Sequence, residues 1–139
     1  MKRIGLLGDI GSGKSFVAKN FGYPVFNADN EVDKLYKKNQ KIFKKLNRIS
    51  PQYIRSFPIR KKEIIKAILE KKKHLKKIVK IVHFEIKKEM NFFLKKNKRK
   101  KIIILDIPLL MENNINKKND ILVFVDSKKK DISKRLLKR

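Results

Sequence analysis

The stretch Gly8-Asp9-Ile10-Gly11-Ser12-Gly13-Lys14-Ser15 decides the fold that this sequence predicts. It matches the pattern G-x-x-x-x-G-K-[ST], in which glycines let the backbone curl so that successive N–H groups point at phosphate oxygens. A buried strand is predicted before it, at 2–8, and a helix after it, from Lys14 to Phe21. The N-terminal end of that helix adds its dipole to the loop. The pattern therefore predicts a nucleotide site in which Lys14 reaches the β- and γ-phosphates and Ser15 ligates Mg²⁺.

The rest of the chain alternates between apolar strands and amphipathic helices. Further strands are predicted at 24–28, 102–105 and 121–125, and further helices at 30–46, 61–72, 75–93 and 128–139, with Ser127 as the N-cap of the last. Because the strands are continuous apolar runs, the pattern predicts an α/β fold: a parallel sheet of the P-loop NTPase type with helices on both faces. We expect a single domain 1–139, with a core at about 1–30 and 101–139 and a helical, substrate-binding excursion at about 31–100.

The composition excludes several classes of protein. The 139 residues contain no cysteine, which rules out a disulfide scaffold, a thiolate zinc site and a cysteine nucleophile. No apolar run approaches the roughly 20 residues that span a bilayer. The apolar N-terminal segment is too short for a signal peptide and runs directly into the glycine loop. We therefore expect a cytoplasmic protein with no membrane partner.

The charge is strongly positive, with 39 basic and 13 acidic residues and a net charge of +26. Lysine supplies 32 of the basic residues and arginine only 7, and the 19 isoleucines and 11 asparagines share A/T-rich codons with lysine. Surfaces that read bases rely on arginine, and here the lysines are spread over every predicted helix. This favours a solvated surface that binds polyanions without specificity at low salt, and no specific nucleic-acid partner is expected.

Carboxylates follow three of the predicted strands, at Asp29, Asp106 and Asp126. Ligands of a parallel α/β sheet lie at the carboxyl ends of its strands. If the strands that end at Asp29 and Asp106 adjoin the first strand, both acids face the phosphate loop. One could then accept a proton from an attacking hydroxyl, and the other could hold Mg²⁺ directly or through water. Helix capping is the alternative role for Asp29, and it is the favoured role for Asp126.

Four motifs, in this order, resemble the dephospho-CoA kinases. They are the glycine loop with Lys14 and Ser15; Phe26-Asn27-Ala28-Asp29; Asp106-Ile107-Pro108-Leu109-Leu110-Met111-Glu112; and Val123-Phe124-Val125-Asp126 with Arg135-Leu136-Leu137-Lys138-Arg139. Ile59-Arg60 and Val82-His83-Phe84 are weaker matches. The sequence departs from the family pattern at four positions. It has Asp9 where the family commonly has glycine, Phe16 where it has threonine, Asn27 where it has aspartate and Phe84 where it has proline.

The resemblance implies transfer of the ATP γ-phosphate to the ribose 3′-hydroxyl of dephospho-CoA, with Mg²⁺ as cofactor. It implies that Lys14 and Asp29 are catalytic, with Asp29 as the base, and that Ser15 holds the metal. The residues implied for ATP are Gly11, Ser12, Gly13, Lys14, Ser15, Phe16, Arg135 and Arg139, and those for the acceptor are Arg60, His83 and Asp106. For His83, the alternative is a histidine that faces solvent and has no role in binding. Glu112 is expected either to order the loop after the third strand or to lie on the surface. His74 is expected to lie on the surface.

Family members normally continue past the Arg-x-x-x-Arg segment. The resemblance therefore predicts that the remainder of the lid, a fifth strand and a closing helix are absent here. Two alternatives stay open: a truncated nucleotide-binding protein with little or no activity, and a kinase for another nucleotide-like acceptor. The Pro-Leu-Leu-x-Glu element argues against the other acceptor. The expected partners are ATP and dephospho-CoA, and the expected state is a monomer.

Overall fold

The computed structural model describes residues 1–9, 11–107, 119–126 and 128–137. The elements within these ranges are β1 (Lys2–Leu7), α1 (Lys14–Asn20), β2 (Val25–Asn27), α2 (Ala28–Lys38), α3 (Gln40–Ile49), α4 (Lys61–Glu70), α5 (Lys72–Lys96), β3 (Ile102–Asp106), β4 (Ile121–Phe124) and α6 (Lys129–Leu137). The predicted N-cap Ser127 lies outside them. No described helix combines the length and the apolar character needed to cross a membrane.

The four strands form one parallel sheet in the order β2-β3-β1-β4, which confirms the predicted α/β class. The condition that both acid-bearing strands adjoin the first strand is met by β3 and not by β2, because β3 lies between β2 and β1. A helical crossover connects parallel strands and can skip a position, so order along the chain does not fix order in the sheet. Asp106 therefore ends the strand beside β1, and β2 ends one strand further out.

Helices cover both faces of the sheet. On one face Ile4, Leu6 and Ile104 pack with Ala18 of α1. On the other, Ile103 and Leu105 are fully buried, and Phe26 is the register partner of Leu105. The Phe26 ring meets Phe93, near the end of α5, at a centroid distance of 5.6 Å. This alternation explains why the inner strands read as continuous apolar runs, since both of their faces are buried.

The described chain divides into two compact units, Met1–Ala28 with Phe93–Arg139, and Asp29–Phe92. The first contains the sheet, α1 and α6. The second contains most of α2, then α3, α4 and most of α5. The predicted division into a core and a helical, substrate-binding excursion stays a prediction. That the two units form a single domain stays a prediction.

The helix predicted at 30–46 is wrong as a single element, because it is divided into α2 and α3 at Asn39. Asn39 has an extended backbone, and its side-chain oxygen accepts a hydrogen bond from the Ile42 amide at 3.0 Å. This N-cap satisfies one of the free N–H groups at the start of a new helix, which a continuous helix would not need.

His74 is buried, contrary to the expectation of a surface residue. Its Nδ1 lies 2.7 Å from the carbonyl oxygen of Ala67, in the last turn of α4. The carbonyls of a final helical turn have no partner within the helix, so a ring N–H that reaches back to one of them is stabilising. The polar ring is therefore buried with its hydrogen bond satisfied.

Candidate nucleotide-binding site

The glycine loop takes backbone conformations that other residues rarely adopt. Gly8 has φ of +147°, and Gly13, directly before α1, has φ of +98°. A Cβ at Gly8 would lie 2.5 Å from the carbonyl oxygen of Val125, so a side chain there would collide with backbone. Both glycines are therefore required by the path of the loop, as the sequence pattern predicts.

Lys14 lies against the loop that it follows. Its Nζ donates a hydrogen bond of 2.8 Å to the carbonyl oxygen of Gly8. Within the loop, the Ser12 amide donates to the Asp9 carbonyl oxygen at 3.0 Å, and the Ser12 side chain is buried. The positive charge of Lys14 is thus held at the loop, where a phosphate group would need it. Phe16, also predicted to contact ATP, has a side chain that is 74% exposed.

Three polar side chains meet where β2 and β3 end beside the start of α1. The Ser15 hydroxyl donates to Asp106 Oδ2 at 2.8 Å, and the Asn27 amide donates to the same oxygen at 2.9 Å. Asn27 Nδ2 also lies 3.3 Å from Ser15 Oγ. We call Ser15, Asn27 and Asp106 the strand-end cluster.

The strand-end cluster fits a divalent cation. Asp106 is 3% exposed, and the hydrogen bonds to its Oδ2 come from a hydroxyl and an amide, which are neutral donors. A buried carboxylate is stable when it is paired or coordinates a metal. The described residues contain no group of three or more acidic or histidine side chains that could enclose a metal. Mg²⁺ suits such a site, because it binds one or two protein oxygens and takes its other ligands from phosphates and water.

The first unit places several other predicted residues. Asp126 is exposed and follows Val125, whose amide donates to the Leu7 carbonyl oxygen at 2.7 Å, so the end of β4 lies beside the loop. Arg135 belongs to α6. Arg139 and Glu112 lie outside the described residues.

The second unit contains the predicted base and two of the residues predicted for the acceptor. Asp29 is exposed in the first turn of α2. Arg60 is exposed directly before α4, and its carbonyl oxygen accepts from the Glu63 amide at 3.0 Å. His83 is exposed on α5. In the first unit, by contrast, Lys14 and Ser15 share one loop and helix start, and Asp106 contacts Ser15.

Two features of the first unit were missed from the sequence. The sequence predicts no binding or catalytic role for Asn27, although Asn27 is the last residue of β2 as Asp106 is the last residue of β3. Arg3 and Asp120 form a buried ion pair, with Nε 3.1 Å from Oδ1 and exposures of 7% and 4%. This pair joins β1 to the residue that precedes β4, and nothing local in the sequence indicates it.

The glycine loop, its lysine and serine, and a carboxylate at the end of the neighbouring strand together define a P-loop nucleotide-binding protein. The order of the strands and the helices on both faces agree with that class.

Within that class, the family model described as dephospho-CoA kinase matches residues 2–139, so the chain belongs to the dephospho-CoA kinase family. The dephospho-CoA kinase of Wolbachia pipientis wMel is 35% identical over 127 residues, which are 88% of this chain and 65% of that protein. The dephospho-CoA kinase of Aquifex aeolicus is 30% identical over 144 residues, covering 100% of this chain and 74% of that protein. The chain spans about two thirds of the length of the curated relatives that it matches.

Solved structures show the same fold. TT1252 from Thermus thermophilus superposes with a TM-score of 0.76 at 24% identity, over 99% of this chain and 72% of that one. The dephospho-CoA kinase from Campylobacter jejuni gives a TM-score of 0.63 at 16% identity, over 99% of this chain and 95% of that one.

Proposed function

We propose that this chain transfers the γ-phosphate of ATP to the ribose 3′-hydroxyl of dephospho-CoA, giving coenzyme A and ADP. The observation that carries the proposal is the hydrogen bond between Ser15 and the buried Asp106, beside a glycine loop that holds Lys14. Membership of the dephospho-CoA kinase family supports the choice of acceptor.

The loop and Lys14 would bind the triphosphate. Backbone N–H groups that line a curled glycine loop donate to phosphate oxygens, and the Lys14 ammonium reaches the β- and γ-phosphates. The Gly8 carbonyl that Lys14 contacts at 2.8 Å lies in the same loop, so the ammonium is already held close to its place of action. Positioning and neutralisation of charge account for most of the catalysis in phosphoryl transfer.

Ser15 and Asp106 would hold Mg²⁺. The hydroxyl proton of Ser15 is directed at Asp106 Oδ2, and the Asn27 amide faces one Oγ lone pair, which leaves the other Oγ lone pair for a cation. When bound, Mg²⁺ neutralises charge that develops on the phosphates. We therefore propose a metal-binding role for Asp106, in place of the acceptor-binding role expected from the resemblance.

Asp29 would act as the base. The acceptor oxygen bonds to the γ-phosphorus, the bond from that phosphorus to the ADP oxygen breaks, and the hydroxyl proton passes to the Asp29 carboxylate. Asp29 is exposed, so a sugar hydroxyl can reach it. Arg60 and His83 would bind dephospho-CoA, and Arg135 and Arg139 would approach the phosphates of ATP. We further propose a cytoplasmic monomer with no specific nucleic-acid partner.

A coupled assay of ADP release with dephospho-CoA as acceptor tests the proposal. Lys14→Ala should lower transfer by about a thousandfold, since it removes the cation from the triphosphate site. Asp29→Asn should lower kcat by about 10²- to 10⁴-fold and change ATP affinity by less than about threefold. Lys19→Ala, an exposed lysine in the last turn of α1, serves as the matched control.

Three outcomes of this assay would count against parts of the proposal. An active Asp29→Asn variant would remove the base assignment. A chain that turns over another nucleotide-like acceptor faster would replace the substrate. A chain that binds ATP and turns over no acceptor would support the nucleotide-binding protein without activity. Circular dichroism of each variant checks that the fold is kept.

A further inference from the structure

Asn27 has no assigned role, although it makes two contacts within the strand-end cluster. It is the last residue of β2 and the register partner of Asp106, so both side chains leave the sheet on the same face. Its Nδ2 lies 2.9 Å from Asp106 Oδ2 and 3.3 Å from Ser15 Oγ. One amide group therefore contacts both of the residues that we propose as metal ligands.

The geometry fixes the direction of the carboxylate. Asp106 Oδ2 accepts hydrogen bonds from the Ser15 hydroxyl at 2.8 Å and from the Asn27 amide at 2.9 Å. Hydrogen bonds to an ionised group are stronger than those between neutral groups. With two donors on one oxygen, rotation of the carboxylate about its Cβ–Cγ bond is restricted. The Ser15 hydroxyl is restricted as well, because its proton points at the same oxygen.

The charge of residue 27 also matters. Aspartate, the residue that the family resemblance would place here, would set a second carboxylate beside the buried Asp106. Two carboxylates at that distance repel each other and cannot both ionise freely. Asparagine has nearly the same shape, carries no charge and supplies donors in place of acceptors. The cluster therefore contains a single acidic group that is orientated by a neutral neighbour.

We propose that Asn27 is a positioning residue for a nucleotide-bound divalent cation: its amide orients Asp106 and Ser15 so that both present oxygen atoms to the metal. The inference rests on the proposed use of Mg²⁺ with ATP. It assigns Asn27 no contact with the metal and no part in proton transfer. Asn27 acts through the two side chains that it touches.

The test measures ATP affinity by calorimetry at one fixed pH, first with EDTA and then with saturating Mg²⁺, in the absence of any acceptor. The Mg²⁺ enhancement is the ratio of the two affinities. Asn27→Ala removes the amide, and Asn27→Leu removes the donors but keeps the volume. Both variants should lower the Mg²⁺ enhancement by about tenfold, which is the effect expected from the loss of one hydrogen bond to a charged group. In EDTA, ATP affinity should change by less than about twofold, because the loop and Lys14 are untouched.

Asn97→Ala is the matched control, since its amide donates a 2.9 Å hydrogen bond to the Phe93 carbonyl oxygen in the same unit. This variant should keep the full enhancement. Electron paramagnetic resonance of Mn²⁺ bound to the ATP complex gives a second measurement. The Mn²⁺ affinity should fall in both Asn27 variants and stay unchanged in Asn97→Ala.

An unchanged enhancement in the Asn27 variants would overturn the inference. A loss of ATP affinity in EDTA as large as the loss with Mg²⁺ would also overturn it, because this would indicate general damage to the loop. A wild-type protein whose ATP affinity does not respond to Mg²⁺ would overturn it as well. Failure of the proposed function gives a different result. The enhancement would then be present and sensitive to Asn27, while the wild-type protein would transfer no phosphate to dephospho-CoA.

Discussion

At Gly8, the absence of one methyl group allows the phosphate loop to close against the end of β4. A Cβ at this position would lie 2.5 Å from the Val125 carbonyl oxygen and 2.8 Å from Ser12 Oγ, and φ is +147°. Gly22 also has a positive φ, +75°, but a Cβ there would meet no described atom within 4 Å. The two glycines therefore separate the effect of backbone conformation from that of close packing.

Gly8→Ala should destabilise the protein more than Gly22→Ala. The left-handed backbone costs an alanine at Gly22 about 1 kcal/mol. At Gly8 the collision with backbone adds about 1–3 kcal/mol, as overpacking does. Urea denaturation of both variants gives the two free energies of unfolding. If both variants lost the same free energy of unfolding, the contact of the new methyl group with Val125 would have to relax without cost.

Tyr36 makes the free energy of unfolding depend on pH in the alkaline range. Burial raises the pKa of the Tyr36 phenol above its ordinary value of 10.0, and the negative charge of Asp33 raises the pKa further. The folded protein then keeps the phenol proton to a higher pH than the unfolded chain does. The stabilisation is complete below about pH 10 and is lost as the pH rises through the raised pKa.

Between pH 8 and pH 11, the free energy of unfolding should fall more steeply for the wild-type protein than for Tyr36→Phe. Any other group that titrates in this range contributes equally to both proteins, because the two differ only at residue 36. Tyr23→Phe, at an exposed position, should behave like the wild type. Urea denaturation at several pH values provides the comparison, and parallel curves for wild type and Tyr36→Phe would contradict the prediction.

The phosphate loop and the position of Asp106 near it were predictable from the sequence, and the individual contacts that depend on strand register were not. The phosphate loop lies within eight residues, so its glycines, Lys14 and Ser15 follow from a pattern. The partners of Ser15 lie 12 and 91 positions away, at Asn27 and Asp106. The contact of Asp106 depends on β3 pairing with β1, and that of Asn27 depends on β2 pairing with β3. Strands that are apolar on both faces do not fix these registers by their pattern. The buried pair of Arg3 and Asp120 was missed for the same reason.

At the scale of elements, the strands were predicted well because their sequences are apolar on both faces. The predicted strands at 102–105 and 121–125 differ from β3 and β4 by one residue at the C-terminal end. The break at Asn39 was missed, since apolar residues continue at helical spacing on both sides of it. A polar side chain that satisfies one backbone N–H outweighs that continuity. Periodicity shows which residues face a core and does not show where one helix ends.

Asn39→Ala should lower the free energy of unfolding by about 1 kcal/mol, the usual value of an N-cap. Asn39→Asp should change it by less than about 0.5 kcal/mol, because a carboxylate oxygen can also accept the hydrogen bond from the Ile42 amide. Urea denaturation of the two variants distinguishes the cap from other effects of the site. If alanine and aspartate were equally tolerated, the hydrogen bond to Ile42 would have no role in starting α3.

At the scale of the whole molecule, a net charge of +26 is spread over both units. Ion pairs do engage some lysines, such as Lys34 with Glu31, Lys61 with Asp33 and Lys88 with Glu85. Many others are exposed on α5, at 72, 73, 76, 77, 80 and 87. Charges arranged in this way attract any polyanion and cannot distinguish one base from another.

Binding to a single-stranded DNA of mixed sequence should therefore be strong only at low salt. If the chain neutralises about six phosphates, its affinity for the single strand should fall by about 300-fold between 50 and 200 mM NaCl. Binding of ATP with Mg²⁺ should weaken by less than about tenfold over that range, because the loop contacts phosphate with fixed donors. Lys14→Ala separates the two modes. It should weaken ATP binding sharply and leave DNA binding intact, because Lys14 is only one of 32 lysines. DNA affinity that depended on base sequence, or that fell together with ATP affinity in Lys14→Ala, would show that the positive surface is part of a specific site.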